Sequence, residues 1–289
     1  FINNFLINSL FKMSPFLNFN STTRTPTPAL GKRVSKSSFY NPESDKAFNI
    51  SRSKVDDFQK CEKCFLDDRR GGIIPPGQLP FNLNIAVDEN LKQSFDVHRV
   101  DQTVPPLLRE LGLSNYVPYQ HEDLPKWRSN FKGIRREVEG TNITLSGAPD
   151  DLWLNKDTGQ ISVVDYKSTS TKSSMSQEDY LNDGYHDSYK RQLDFYNYLL
   201  RGEGLNLSAS SFFLVFNARK DMPITDKNPT LTFDYHLIEY KWDDSWVEDT
   251  ISRMIKVLNY EVEAVSNPCC KDCAYIREAQ KYDASLNGE

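Results

Sequence analysis

The order of apolar patterns predicts a mixed α/β fold, and three observations carry that prediction. Short apolar runs, "NITLSG", "DDLWLN" and "ISVVDYK", follow one another within residues 142–167 and read as a three-strand meander. Helix-period stretches flank it, "IAVDENLKQSFDVHR" before and "DSYKRQLDFYNYLLR" after. Two further strand patterns, "SFFLVFNA" and "LTFDYHLIEYKW", then precede a closing helix placed from Asp243 to about Val265.

In chain order, residues 1–48 are rich in Asn, Ser, Thr and Pro without a sustained period, and they read as a disordered basic tail. The chain begins on Phe1 rather than Met, and Met13 is a plausible true start. "FINNFLINSLF" is too short to span a bilayer and lacks the basic flank of a signal peptide, so a cytoplasmic location is expected. "SRSKVDDFQKCEKCFLDDRRGG" reads as one helix, opened by a capping box of Ser53 with Asp56 and ended by Gly71–Gly72. The Pro-rich turn "PPGQLP" follows. Between the third strand and the next helix, "STSTKSSMSQEDYLNDGYHDS" reads as a long polar loop, suited to gating a substrate or simply connecting elements. Residues 49–282 form the expected domain, and 283–289 a tail.

Composition narrows the function classes. The 38 % hydrophobic and 26 % charged residues are those of a soluble globular protein. A net charge of −5 argues against non-specific coating of nucleic acid, but is compatible with an acidic metal site inside a local basic surface. Five cysteines, an odd number in a long chain, argue against a disulfide framework and for a reducing compartment.

The chemistry concentrates in "SGAPDDLWLNKDTGQISVVDYKST". Strand alternation places Asp165 and Lys167 on one face, while Asp150 enters the neighbouring strand after a Gly–Ala–Pro turn. Two converging carboxylates raise each other's pKa unless a divalent cation neutralises them, and oxygen ligands suit Mg²⁺ or Mn²⁺. A Lys beside such a site can orient or help deprotonate an attacking water, or balance phosphate charge. The bland alternative is a charged hairpin with a helix packed on it.

Pro149–Asp150 and Asp165–Tyr166–Lys167 resemble the signature of the PD-(D/E)XK nuclease superfamily. Gly147, three residues before Asp150, and the pair Gln192 and Tyr196 in "RQLDFY" resemble the RecB-type branch. The resemblance implies a restriction-endonuclease-like core, a mixed central sheet flanked by helices. It implies Asp150 and Asp165 as metal ligands, the Tyr166 carbonyl as a third, and Lys167 as the catalytic lysine. Gln192 and Tyr196, an i, i+4 pair on one helix face, would position the substrate or support the site. RecB-type domains usually add a His from the helix before the sheet; here Asp88 stands where that His is sought, with Glu89 a weaker candidate. His98, His121, His186 and His236 show no metal spacing.

"CEKC" (Cys61, Cys64) precedes this core and "CCKDC" (Cys269, Cys270, Cys273) follows it. Some RecB-type nucleases hold a [4Fe–4S] cluster on four cysteines split between the chain ends, one before and three after. The 2 + 2 arrangement of Cys61, Cys64, Cys270 and Cys273 serves Zn²⁺ equally well, and reduced thiols without metal remain open. Cys269 is a substitute ligand or a spare. Arg191, with Lys190, is the best candidate for contacting phosphates, ahead of Lys132, Arg135, Arg136 and Lys172. Trp127, Trp153, Tyr180 and Tyr185 are candidates for stacking on unpaired bases, with core packing the default for Trp153.

The expectation is a Mg²⁺- or Mn²⁺-dependent DNA nuclease, exonuclease-like on single-stranded ends, in repair or recombination. The sequence carries no phosphate loop of its own, so a helicase or repair partner would be separate. The alternatives are a non-catalytic nucleic-acid-binding or scaffold domain and a structural zinc protein with incidental hairpin charges.

Overall fold

The computed structural model describes residues 18, 20, 22–75, 81–173, 175–221 and 230–287. Met13, the apolar opening stretch and most of "PPGQLP" lie outside them.

The elements begin with β1 (Phe48–Ser51), α1 (Arg52–Lys60), α2 (Glu62–Leu66), α3 (Asn82–Asp101) and α4 (Pro106–Glu110). Next come β2 (Tyr116–Pro118), α5 (Leu124–Trp127), β3 (Ile134–Glu137), β4 (Ile143–Gly147), β5 (Asp151–Asn155) and β6 (Ile161–Thr169). The chain continues through α6 (Gln177–Asn182), α7 (Asp187–Gly202), β7 (Ser210–Ala218), β8 (Phe233–Lys241), α8 (Val247–Leu258) and α9 (Lys271–Asn287).

Two sheets result. One has the order β2-β5-β6-β7-β8, with β6 and β7 parallel and the other neighbours antiparallel. The other has the order β1-β4-β3, with β1 and β4 parallel. The expected meander is thus corrected. "NITLSG" and "DDLWLN" do not pair; the Gly147–Asp150 turn carries the chain from the small sheet to the large one. Only the β5–β6 hairpin is as expected.

Alternation along the strands divides the core. Val164, Tyr166, Phe212 and Leu214 pack with Trp153 and with Leu91 and Phe95 of α3. Val163, Phe213 and Val215 face the other way, onto Leu193 and Phe195 of α7 and the apolar stripe of α8. The site described below lies where α3, the β5–β6 hairpin and α7 meet.

Several local expectations are replaced. The N-terminal helix breaks at Cys61, which is extended (φ −165°, ψ 106°) and separates α1 from α2. Ser51, not Ser53, is the N-cap, and no side chain completes a capping box there. After α2 the chain passes through a wider, π-type turn and stops at Gly72, whose φ of +71° suits glycine. Residues 32–47, read as tail, pack on this helix pair: Lys32 bridges to Ile73, Arg33 pairs with Asp68, and Tyr40 is buried. The long polar loop contains α6, capped by Ser176 accepting from Asp179 N. The closing helix ends at Leu258, and α9 runs through most of the supposed tail.

Candidate active site and cysteine group

Asp150 lies just before β5, and its Oδ2 accepts a hydrogen bond from the Tyr166 backbone N at 3.0 Å. This fastens the carboxylate to β6 between Asp165 and Lys167. Its neighbour Asp151, fully buried, turns the other way. There it accepts from the Tyr166 hydroxyl at 2.7 Å and pairs with Arg99. Two adjacent aspartates therefore differ in kind: Asp151 closes a buried network, and Asp150, partly exposed, lies between the Tyr166 backbone and Lys92.

Asp165 has no solvent exposure, and neither carboxylate oxygen has a well-directed hydrogen bond, although Lys167 Nζ touches Oδ2 closely enough for an ion pair. Burial pushes this carboxyl up to about 7; Lys167 opposes the rise and Asp150 adds to it. Lys167 Nζ donates to Gln192 Oε1 at 3.4 Å, and Gln192 Nε2 donates to the Tyr196 hydroxyl at 3.0 Å. Gln192 of α7 thus reaches the strand lysine directly, and Tyr196, one turn on, supports it. Lys167 Nζ also lies 4.7 Å from the Tyr189 ring centre. Gly147 makes the approach of α7 possible, since a Cβ there would stand 2.9 Å from both the Tyr196 ring and Leu199 Cδ1.

Asp88 reaches the site from α3. Lys92, one turn on, donates to Asp88 Oδ2 at 2.8 Å and to Asp150 Oδ1 at 3.0 Å. Burial and the Asp150 charge raise the Asp88 carboxyl, and its Oδ1 is buried without a partner. Lys92 is raised as well, because the two carboxylates outweigh its burial. The lysine therefore sits between two of the expected ligands, and the acidic oxygens are not gathered within 4.8 Å as the cysteine sulfurs are. The donor set nonetheless fits a hard divalent cation: carboxylate oxygens, two of which, Asp88 Oδ1 and Asp165 Oδ1, are buried without a partner, on elements held by the core.

Lys92 and Arg52 were not anticipated. Lys92 is one helical turn from Asp88, a spacing legible in "DENLK"; Arg52 carries no such signal. At the start of α1, Arg52 favours the charged form of Asp165. It lines a cavity of about 260 Å³ with Lys132, Gly147 and Tyr196. A second, larger cavity of about 630 Å³ opens beside Lys167, between Phe81 and Asn84 on one side and Tyr180, Tyr185 and Tyr189 on the other.

Other expected contacts lie elsewhere. Arg191 is held by Asp56 at 2.7 Å and Lys190 by Asp187 at 2.6 Å, so both serve intrachain ion pairs. Trp127, Trp153 and Tyr180 are buried, whereas Tyr185 is exposed. Glu89 forms none of these contacts. Of the histidines, His98 bonds Thr103, His121 stacks on Trp127, His186 stacks on Tyr180, and His236 lies in β8.

Cys61, Cys64, Cys270 and Cys273 converge, with all four sulfurs within 4.8 Å of one another; Cys269 is exposed and outside the group. Cys61 stands at the break between α1 and α2, and Asn267 Nδ2 donates to the Lys60 carbonyl at 2.7 Å, tying the C-terminal side to the end of α1.

The family described as the PD-(D/E)XK nuclease superfamily matches residues 84–277. The chain belongs to the PD-(D/E)XK nuclease superfamily, and its core is restriction-endonuclease-like. A solved structure titled "Putative exonuclease", from Eubacterium rectale, is similar at 16 % identity and a TM-score of 0.38, over 85 % of this chain and 94 % of that one. No curated protein matches. Among the described residues, no helix is long and apolar enough to cross a membrane.

Proposed function

We propose that the chain is a divalent-metal-dependent DNA nuclease of the RecB type, hydrolysing phosphodiester bonds from single-stranded ends in repair or recombination. The observation that carries this reading is Asp165: a fully buried carboxylate whose Oδ1 has no partner and whose Oδ2 meets only Lys167, with Asp150 nearby on the Tyr166 backbone. One lysine leaves this carboxyl raised to about 7, and a divalent cation would favour its charged form further.

Asp150, Asp165 and the Tyr166 carbonyl would hold Mg²⁺ or Mn²⁺, with Asp88 as a further ligand. The ion supplies charge stabilisation at the phosphate and activates water. Lys167 places its ammonium at the reacting phosphate, and Gln192 and Tyr196 fix its direction. Lys92 screens Asp88 from Asp150 until the cation arrives. Arg52 and Lys132 offer charge for the flanking phosphates, in place of the internally paired Arg191 and Lys190. The cleft beside Lys167 offers the exposed rings of Phe81 and Tyr185 to unpaired bases.

The test is cleavage of end-labelled single- and double-stranded DNA in Mg²⁺ or Mn²⁺ against a chelated control. Divalent-dependent products shortened from an end support the proposal. Salt-sensitive binding without cleavage in any divalent metal would instead identify a scaffold domain. The four-cysteine group is separate from this site, and the nuclease reading does not depend on it.

A further inference from the structure

We infer that Tyr180 is a positioning residue of the nuclease site. Its hydroxyl donates a hydrogen bond to an oxygen that arrives with the ligand, either a water accompanying the divalent cation or a phosphate oxygen of the strand. The inference rests on the nuclease reading and deepens it.

The placement follows from β6, β7 and the segment that joins β6 to α7. Asp165 of β6 is in register with Phe213 of the parallel strand β7, and Lys167 with Val215. Neighbouring strands lie about 4.8 Å apart, so residues paired in this way stand side by side on one face of the sheet. Tyr180, carried by α6, packs on Phe213 with ring centres 5.6 Å apart. His186 stacks on Tyr180 at 3.9 Å and on Tyr189 at 5.5 Å. Tyr189 is in turn the ring beside the Lys167 ammonium. A row of rings therefore runs from the strand neighbour of Asp165 to Lys167, and Tyr180 belongs to its carboxylate end. Tyr180, Tyr189, Val215 and Lys167 all line the cavity of about 630 Å³.

The hydroxyl sets Tyr180 apart from a packing residue. Tyr180 is 3 % exposed, yet its hydroxyl has no hydrogen-bond partner among the described residues. Buried hydroxyls are normally paired, and a phenylalanine of the same shape would pack here without that cost. Burial raises the phenol pKa and the charge of Asp165 adds to the rise, so the group is a protonated donor. Asp165 Oδ1 is likewise buried without a partner. A donor and an acceptor, neither paired within the protein, thus belong to the same end of the site. The backbone around the ring is fixed: Tyr180 N donates to Ser176 O at 3.0 Å, and Tyr180 O pairs with His186 Nδ1 at 2.9 Å. What the hydroxyl lacks is an acceptor, and water and phosphate oxygens both accept.

The test is Tyr180→Phe in the full chain, which removes the hydroxyl and keeps the ring. The readouts are Tm in chelator, calorimetric titration with Ca²⁺, and binding of a single-stranded oligonucleotide in Ca²⁺, followed by cleavage in Mg²⁺. We expect Tm in chelator to equal or exceed that of the unmodified chain, because no bond within the protein is lost. Either the Ca²⁺ Kd or the oligonucleotide Kd should weaken about 5–10-fold. The first outcome identifies the accepting oxygen as water, the second as phosphate. In Mg²⁺, kcat/KM should fall about 10-fold. Unchanged affinity in both titrations would overturn the inference. So would a Tm in chelator lowered by several degrees, which would show that the hydroxyl serves the fold. An unmodified chain that neither binds Ca²⁺ nor cleaves would remove the nuclease reading and this inference together. An unmodified chain that does both, matched by Tyr180→Phe, would remove this inference alone.

Discussion

The Asp150 carboxylate is bound to the backbone N of Tyr166, the residue between Asp165 and Lys167. One hydrogen bond thereby joins the Gly147–Asp150 turn to the strand that carries the remaining chemistry. It separates two roles of Asp150 that substitution can distinguish. Asp150→Asn keeps an acceptor for Tyr166 N but removes the charge. It should lower cleavage at least ~100-fold with little change in Tm. Asp150→Ala should lose the same activity and also destabilise the fold by about 1–2 kcal/mol, read as a lower urea midpoint.

Lys92 and a divalent cation compete for the same carboxylates. Lys92→Met should leave Asp88 and Asp150 unscreened and destabilise the metal-free protein by about 1–3 kcal/mol. Mg²⁺ or Ca²⁺ should then raise Tm more in this variant than in the unmodified chain, because binding no longer displaces an ammonium. Equal metal-induced shifts in the two proteins would exclude the competition.

Gly147→Ala tests the packing that brings the Gln192–Tyr196 face to the strands. The new Cβ would meet the Tyr196 ring and Leu199 at 2.9 Å. β4 is held between β1 and β3, so the backbone has little room to yield. Overpacking of this kind costs about 1–3 kcal/mol, measurable by denaturant unfolding, and should reduce activity through the displaced Gln192.

Asp68 gives a pH-dependent prediction away from the active site. Burial raises this carboxyl, but hydrogen bonds from Arg33, Lys54 and Arg69 outweigh it and hold it at about 2. Its folded pKa is below the ordinary carboxylate value, so its contribution is complete above about pH 4. That contribution, on the order of 2 kcal/mol, is lost as pH falls through the folded pKa. Asp68→Asn should destabilise the protein near neutrality and flatten the acid limb of the Tm-against-pH curve.

Much of this was legible in the sequence because it depends on local periodicity. Asp165 and Lys167 share a face through two-residue alternation, and Gln192 and Tyr196 share one through four-residue spacing on a continuous helix. What was not legible depends on long-range partners. The β4–β5 separation is decided by β1 and β3 claiming β4, which no local pattern announces. Arg191 looked free beside Gln192, yet Asp56, 135 residues away, takes it. The order in residues 32–48 likewise rests on Asp68 and Ile73, which a polar composition does not reveal. The capping pair in "SQED" was readable, and α6 lay inside a stretch judged by its polarity instead.

The most direct measurement compares the unmodified chain with Lys167→Ala on labelled DNA in Mg²⁺ and Mn²⁺, with Tm recorded for both. The account predicts divalent-dependent cleavage that falls at least ~100-fold in a variant that still unfolds cooperatively, with Tm lowered by loss of the Asp165 ion pair. Full cleavage by a well-folded Lys167→Ala protein would contradict it.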